Sequence, residues 1–150
     1  MKIYNLLKKQ ARLFANKPLF YFSDQNLIFE DARYLTFAEV LEEVDSLITK
    51  LAYINVNHTH RVALALGNNS SFFLTLVALN GLDAGIVPLN MDQNIHEIRH
   101  ILRHSDASIL FSAPKYIDTF SEFCSDLEIE IRRLEFHDDW EDHKRIEDGG

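Results

Sequence analysis

The sequence predicts an α/β fold: a mostly parallel, wound sheet with helices on both faces and an N-terminal β-hairpin. Three observations lead there. Val62–Leu66 is an unbroken apolar run closed by Gly67, as expected of a short strand buried on both faces. The stretch after it, with Phe72, Phe73, Leu74, Leu76, Val77, Ala78, Leu79 and Leu82, is apolar on nearly every side of a helix, so that helix is enclosed. Ile86–Leu89 then supplies a second short strand, in which Pro88 must stand at an end or where no ladder donor is needed. Strand, helix and strand in this order close most readily as a crossover between parallel strands.

The other elements follow in chain order. Ile3, Leu6, Leu7, Ala11 and Phe14 recur at helical spacing, with Lys8, Lys9 and Arg12 elsewhere and Pro18 as a stop. Such a helix can lie on a membrane surface or pack on its own domain; the short apolar face and the acidic chain favour packing. Leu19–Ser23 and Leu27–Glu30 are β-prone runs joined by Asp24, Gln25 and Asn26, which reads as the hairpin. Thr36 with Glu39 forms a capping box, and Leu35 with Val40 a hydrophobic staple. They open a helix whose core face is Phe37, Val40, Leu41, Val44, Leu47, Ile48 and Leu51.

Residues 55–60 form a polar loop before the central strand, and Ser70 or Ser71 is expected to cap the helix that follows it. Gly81 and Gly85 bracket that helix's end. Asn94 with Glu97 is a second capping box, for a helix reaching about His104 that turns Ile95, Ile98, Ile101 and Leu102 inward. Ala107–Ser112 is a third buried strand, broken by Pro114. Ile117, Phe120, Phe123, Cys124 and Leu127 suit another amphipathic helix before a strand around Ile129–Leu134.

Composition limits function. With 150 residues, 47% of them apolar, the chain can build one ordinary core. Fifteen Lys and Arg against 23 Asp and Glu, a formal charge of -8, argue against nucleic acid or an anionic membrane as the main partner. The charged N-terminus does not read as a secretory signal, and no stretch is apolar enough for a span. A single cysteine excludes an internal disulfide, and these features together suit the cytoplasm. Residues 137–150 hold six acids and two bases, a local charge of -4, and read as an acidic linker or tail after a domain spanning 1–136.

Several candidates for chemistry are weighed. The turn Gly67, Asn68, Asn69, Ser70, Ser71 follows a strand and opens a helix, where an anion could bind, yet it holds no cation and can simply cap its helix. His96, His100 and His104 fall at i, i+4, i+8, a ligand-compatible spacing, but beside Arg99 and Arg103 and away from the apolar face, which reads as a solvated stripe. His58 and His60 form a similar loop pair. Cys124 reads as a small core-facing residue rather than a nucleophile, and Asp138, Asp139, Glu141 and Asp142 as solvated acids. No residue is assigned a catalytic, cofactor-binding or metal role.

The segments RVALALGNNSSFFLTLVAL and NGLDAGIVPLN, Leu35-Thr36-Phe37-Ala38-Glu39-Val40 upstream, and His96–Phe111 downstream resemble, in order and spacing, the adenylate-forming, acyl-activating superfamily of AMP-binding enzymes such as acyl-CoA synthetases. The resemblance covers about residues 4–113. It implies the N-terminal segment of a ligase that makes an acyl adenylate from ATP and a small carboxylic acid, then passes the acyl group to coenzyme A or a phosphopantetheine carrier protein. ATP, magnesium and coenzyme A are implied for the full-length enzyme and none for this chain. The family's Ser/Thr/Gly-rich phosphate loop ending in Lys, and its C-terminal lid lysine, have no match here, so the chain alone is expected to be inert. Its partners would be the remainder of the enzyme and, through a face left uncovered, a second copy in a homo-oligomer. Two other readings are a docking or assembly module that retains the family's sheet and a nucleotide-binding domain of flavodoxin type.

Overall fold

The structure is a computed structural model that describes residues 2–22, 33–67 and 70–134. Its elements are α1 (Ile3–Leu13), β1 (Pro18–Phe22), β2 (Arg33–Thr36), α2 (Phe37–Tyr53), β3 (Arg61–Ala65), α3 (Ser70–Gly81), β4 (Gly85–Pro88), α4 (Ile95–His104), β5 (Ile109–Ser112), α5 (Ile117–Phe123) and β6 (Glu130–Arg133). Four strands form a parallel sheet in the order β4-β3-β5-β6, and β1 pairs antiparallel with β2 in a separate ribbon.

β3 is central, and its alternation divides the core into two layers. Val62, Leu64 and Leu66 enter one cluster with Val40, Val44, Leu47 and Leu51 of α2 and with Leu74, Val77 and Ala78 of α3. Ala63 and Ala65 enter the other, with Ile98 and Leu102 of α4 and Phe120 of α5. Successive side chains of a strand point to opposite faces, so α1, α2 and α3 cover one side and α4 and α5 the other. β4 and β5 flank β3, so the connection carrying α4 crosses over it. The two alanines there leave room for that helix. As the apolar sequence of α3 requires, none of its described residues is exposed.

The start of α2 shows how a strand can run straight into a helix. An N-cap residue is extended, as a strand residue is, and Thr36 has φ -75° and ψ 164°. Its Oγ1 accepts from the Glu39 amide at 3.1 Å while its own amide donates to Glu39 Oε1 at 3.0 Å, the complete capping box. The amides of Phe37 and Ala38, otherwise orphaned, donate to the carbonyls of Lys17 at 3.0 Å and Ala15 at 3.1 Å. Leu35 and Val40 are both buried in the first cluster.

Helices also leave toward strands by a common device. Asn55, Asp83 and Asp106 have φ of 68°, 61° and 60°, the left-handed region that short polar side chains tolerate best after glycine. At the end of α2 the Asn55 amide donates to Ala52 O and the Val56 amide to Leu51 O; at the end of α3, Asp83 donates to Asn80 O and Ala84 to Leu79 O. The next residue in each case, Val56, Ala84 or Ala107, is buried.

Some expectations are corrected. The antiparallel partner of β1 is Arg33–Thr36; Leu27–Glu30 and the turn at 24–26 lie outside the described residues. Helix α3 already includes Ser70 and Ser71, so neither occupies the cap position. Its turn is made by Asp83, not glycine. Gly81 instead serves close packing, since a Cβ there would stand 2.9 Å from Ile48 Cδ1 and 3.2 Å from the Tyr4 ring. The Asn94 cap is half a box: Asn94 Oδ1 accepts from the Glu97 amide at 2.9 Å, but Glu97 Oε1 receives the Asn94 side-chain amide at 2.6 Å, not its backbone. On α1 only Leu7 and Ala11 are buried, with Ile3, Leu6 and Phe14 exposed. Helix α5 ends at Phe123, which is exposed. Among the described residues, no helix is long and apolar enough to cross a membrane.

Leu64, 0% exposed at the centre of the first cluster, is expected to cost about 2–5 kcal/mol on replacement by alanine, through lost burial and the cavity left behind. Thr36→Ala should cost about 1 kcal/mol by removing the cap. Urea denaturation of both variants checks this ranking, and an L64A loss no larger than that of T36A contradicts the placement of β3.

Candidate functional site at the carboxyl edge of the sheet

In an open parallel sheet the strand ends are the place where loops meet helix N-termini, and a crevice forms where consecutive connections leave in opposite directions. Here the connection after β3 goes to β4 on one side of it, and the connection after β5 goes to β6 on the other. The reversal lies between β3 and β5, whose ends are in register at Ala65 and Ser112. The strand order supplies this crevice; no local pattern in the sequence announces it.

Two turns border the crevice. On the β3 side, Gly67 takes φ 84°, a conformation natural to glycine, and α3 begins at Ser70. Asn68 and Asn69 of the candidate turn lie outside the described residues. On the β5 side, the Ala113 amide continues the ladder to Ala65 O at 3.0 Å, and Pro114–Tyr116 winds a single 3-10 turn into α5. Ser112 is fully buried and its hydroxyl donates to Ala113 O at 2.9 Å. Sequence reasoning missed this residue because a serine ending an apolar run reads as a strand terminus.

The Thr75 and Ser112 hydroxyls are already engaged. Thr75, fully buried, donates from Oγ1 to Ser71 O at 2.7 Å, and among the described residues no buried side-chain polar atom lacks a partner. Lys115 follows β5, with its ammonium 5.1 Å from the centroid of the Tyr116 ring.

The remaining candidates are dispersed. His96, His100 and His104 lie on the exposed side of α4; the rings of His100 and His104 approach to 4.3 Å, while His96 meets the Phe123 ring edge-on at 6.4 Å. In the loop before β3, His60 Nδ1 accepts from the Asn57 amide at 3.1 Å, closing a turn, and His58 is exposed. Among the described residues no three His, Cys, Asp or Glu side chains converge as a metal set. Asp138, Asp139, Glu141 and Asp142 lie outside the described residues.

Cys124 caps the end of α5, buried in the second cluster. Burial pushes its thiol pKa up, away from the thiolate that a nucleophile requires. Nearby, Arg99 grips Asp126 through two hydrogen bonds of 2.6 Å and donates to Phe123 O at 2.8 Å, tying α4 to the turn after α5.

The family model described as AMP-binding enzyme matches residues 7–147. A feruloyl-CoA synthase of Amycolatopsis sp is 34% identical over 85 residues, 57% of this chain and 17% of that protein. A long-chain-fatty-acid-CoA ligase, FadD1, from Archaeoglobus fulgidus superposes with a TM-score of 0.79 at 19% identity, over 89% of this chain and 27% of the other. The N-terminal subdomain of Klebsiella oxytoca NpsA, in complex with 3-hydroxyanthranilyl-AMSN, gives a TM-score of 0.73 at 17% identity, over 88% of this chain and 30% of the other. At these identities the structures show a shared fold. The chain spans less than a third of either of these structures, and its alignment spans under a fifth of the synthase.

The Arg99 hydrogen bonds hold the Asp126 carboxyl well below its ordinary value, down to about 2. A depressed folded-state pKa stabilises the fold above the unfolded value of about 3.9, and the contribution disappears as pH falls toward the folded one. Acid titration of stability should therefore lose an increment between pH values of about 4 and about 2 that Asp126→Asn lacks. Identical profiles for the two proteins contradict the pairing.

Proposed function

Because the chain belongs to the AMP-binding enzyme family, we propose that it forms the N-terminal part of an ATP-dependent, carboxylate-activating ligase. The match over residues 7–147 carries the proposal. It is supported by a parallel sheet whose strand order reverses between β3 and β5, the place such sheets keep for ligands. Such a ligase joins a carboxylic acid to AMP with release of pyrophosphate, then moves the acyl group to a thiol. Coenzyme A is the acceptor we propose, since the feruloyl-CoA synthase and the long-chain ligase are both coenzyme A enzymes by name. A carrier-protein thiol is second.

The described residues do not by themselves fit ATP with magnesium. Lys115 stands over the Tyr116 ring, and among the described residues no set of three carboxylates or imidazoles converges. A triphosphate needs a cluster of amides with a cation, and magnesium needs oxygen ligands. No catalytic step is therefore assigned to these side chains. The role proposed for this segment is structural: β3, β5 and the turns after them form the floor against which the family's phosphate-binding segments are placed.

Acid-dependent exchange of pyrophosphate into ATP tests this. The 150-residue chain alone should exchange at background, and a polypeptide made from the gene's entire open reading frame should exchange with a fatty or aromatic acid. Exchange by the isolated chain, or none from the entire reading frame across such acids, contradicts the proposal.

A further inference from the structure

We propose that α1 seats this protein on an anionic lipid surface, with its outward apolar stripe entering the headgroup layer. The helix carries two apolar stripes. Tyr4, Leu7 and Ala11 turn inward, and Leu7 and Ala11 are buried. Ile3, Leu6 and Leu13 lie together beside them at 100° per residue, and Phe14 ends the same side. Their exposures of 44%, 46%, 60% and 40% leave a row of four large apolar side chains in water.

The row is held in place. The Tyr4 amide donates to Asn80 Oδ1 at 3.0 Å, its hydroxyl donates to Asp45 at 2.6 Å, and Lys2 pairs with Asp83. These contacts fix α1 to α2 and to the end of α3, so the stripe is presented by an anchored helix.

Charge identifies the occupant. Residues 1–22 contain Lys2, Lys8, Lys9, Arg12 and Lys17 and no acid, whereas the other 128 residues hold ten cations and all 23 acids. Lys9 is exposed and adjoins the stripe by helical angle, and the Lys17 ammonium stands 5.2 Å from the Phe14 ring, at the stripe's end. The neighbouring acids of α2, Glu42 and Asp45, line a groove with Lys8 and Arg12 on another side of α1. Large apolar groups flanked by Lys9 and Lys17, on the side of α1 away from Glu42 and Asp45, match acyl chains beneath anionic phosphates. A helix of 11 residues is too short to span and suits lying in the surface plane. The overall charge of -8 does not prevent this, because salt screens charges beyond about 8 Å and the helix meets the surface first.

Co-sedimentation of the chain with vesicles tests the inference without any reading of activity, using phosphatidylcholine alone or mixed with phosphatidylserine. Binding to the mixed vesicles only is expected. A double variant, Leu6→Gln with Leu13→Gln, should bind about tenfold more weakly while its circular dichroism and melting temperature stay those of the parent, since both side chains are exposed. Lys9→Glu should also weaken binding, and added salt should weaken it further. Three outcomes overturn the inference: no binding to mixed vesicles; binding that the double variant leaves intact; or a concentration-dependent dimer that the double variant breaks while vesicles stay unbound, which would assign the stripe to a second copy.

Discussion

Burial of β3 on both faces is the constraint on which the rest depends. Residues Val62, Ala63, Leu64, Ala65 and Leu66 are all 3% exposed or less, so none can carry a polar side chain without a partner, and every backbone group must bond sideways to β4 or β5. The size alternation then determines the layers. Large side chains fill the space toward α2 and α3, and alanines admit α4. At the sheet's edges the demand relaxes: Pro88 ends β4, and the outer strand β6 carries Glu130 and Arg132, paired at 2.6 Å.

The helix termini transmit that order to the strand ends. Three left-handed Asn and Asp residues turn helices back toward the sheet, each followed by a buried Val or Ala, and α2 is started by backbone carbonyls from the turn before β1 as well as by its own capping box. These contacts set where β3, β4 and β5 begin, and the register between β3 and β5 brings Ala65 level with Ser112 at the other end, where the strand order reverses. α1 stands apart from this economy of burial. It is held by polar anchors and two buried side chains, and it leaves an apolar face outward.

Much of the fold was legible because its strongest signals are periodic. The enclosed run at Val62, the apolar helix after it, and the Thr36–Glu39 box each state a burial pattern or a cap directly, and all three stand where the residues indicate. What was missed depends on partners distant in sequence. Leu35 and Thr36 read locally as the staple and cap of a helix, because the residues that make Arg33–Thr36 a strand are those of β1. The turns at Asp83 and Asp106 look like ordinary polar positions, since φ is not written in composition. Leu6 and Phe14 share a helical period with Leu7, and periodicity alone does not say which of two adjacent stripes the core accepts. At the candidate site, Gly67 was identifiable as a turn after a strand, while Ser112 became part of it only through the register of β5 against β3.

The family's parallel sheet is present, and among the described residues beside its crevice the Thr75 and Ser112 hydroxyls bond to neighbouring backbone carbonyls. Native-state hydrogen exchange tests the central claim most directly. The amides of β3 that bond to its neighbours should exchange only through global unfolding, at the free energy measured by denaturant, while amides of α1 exchange through local opening at lower cost. If β3 amides exchange as readily as those of α1, the doubly covered strand at the centre of this account is not there.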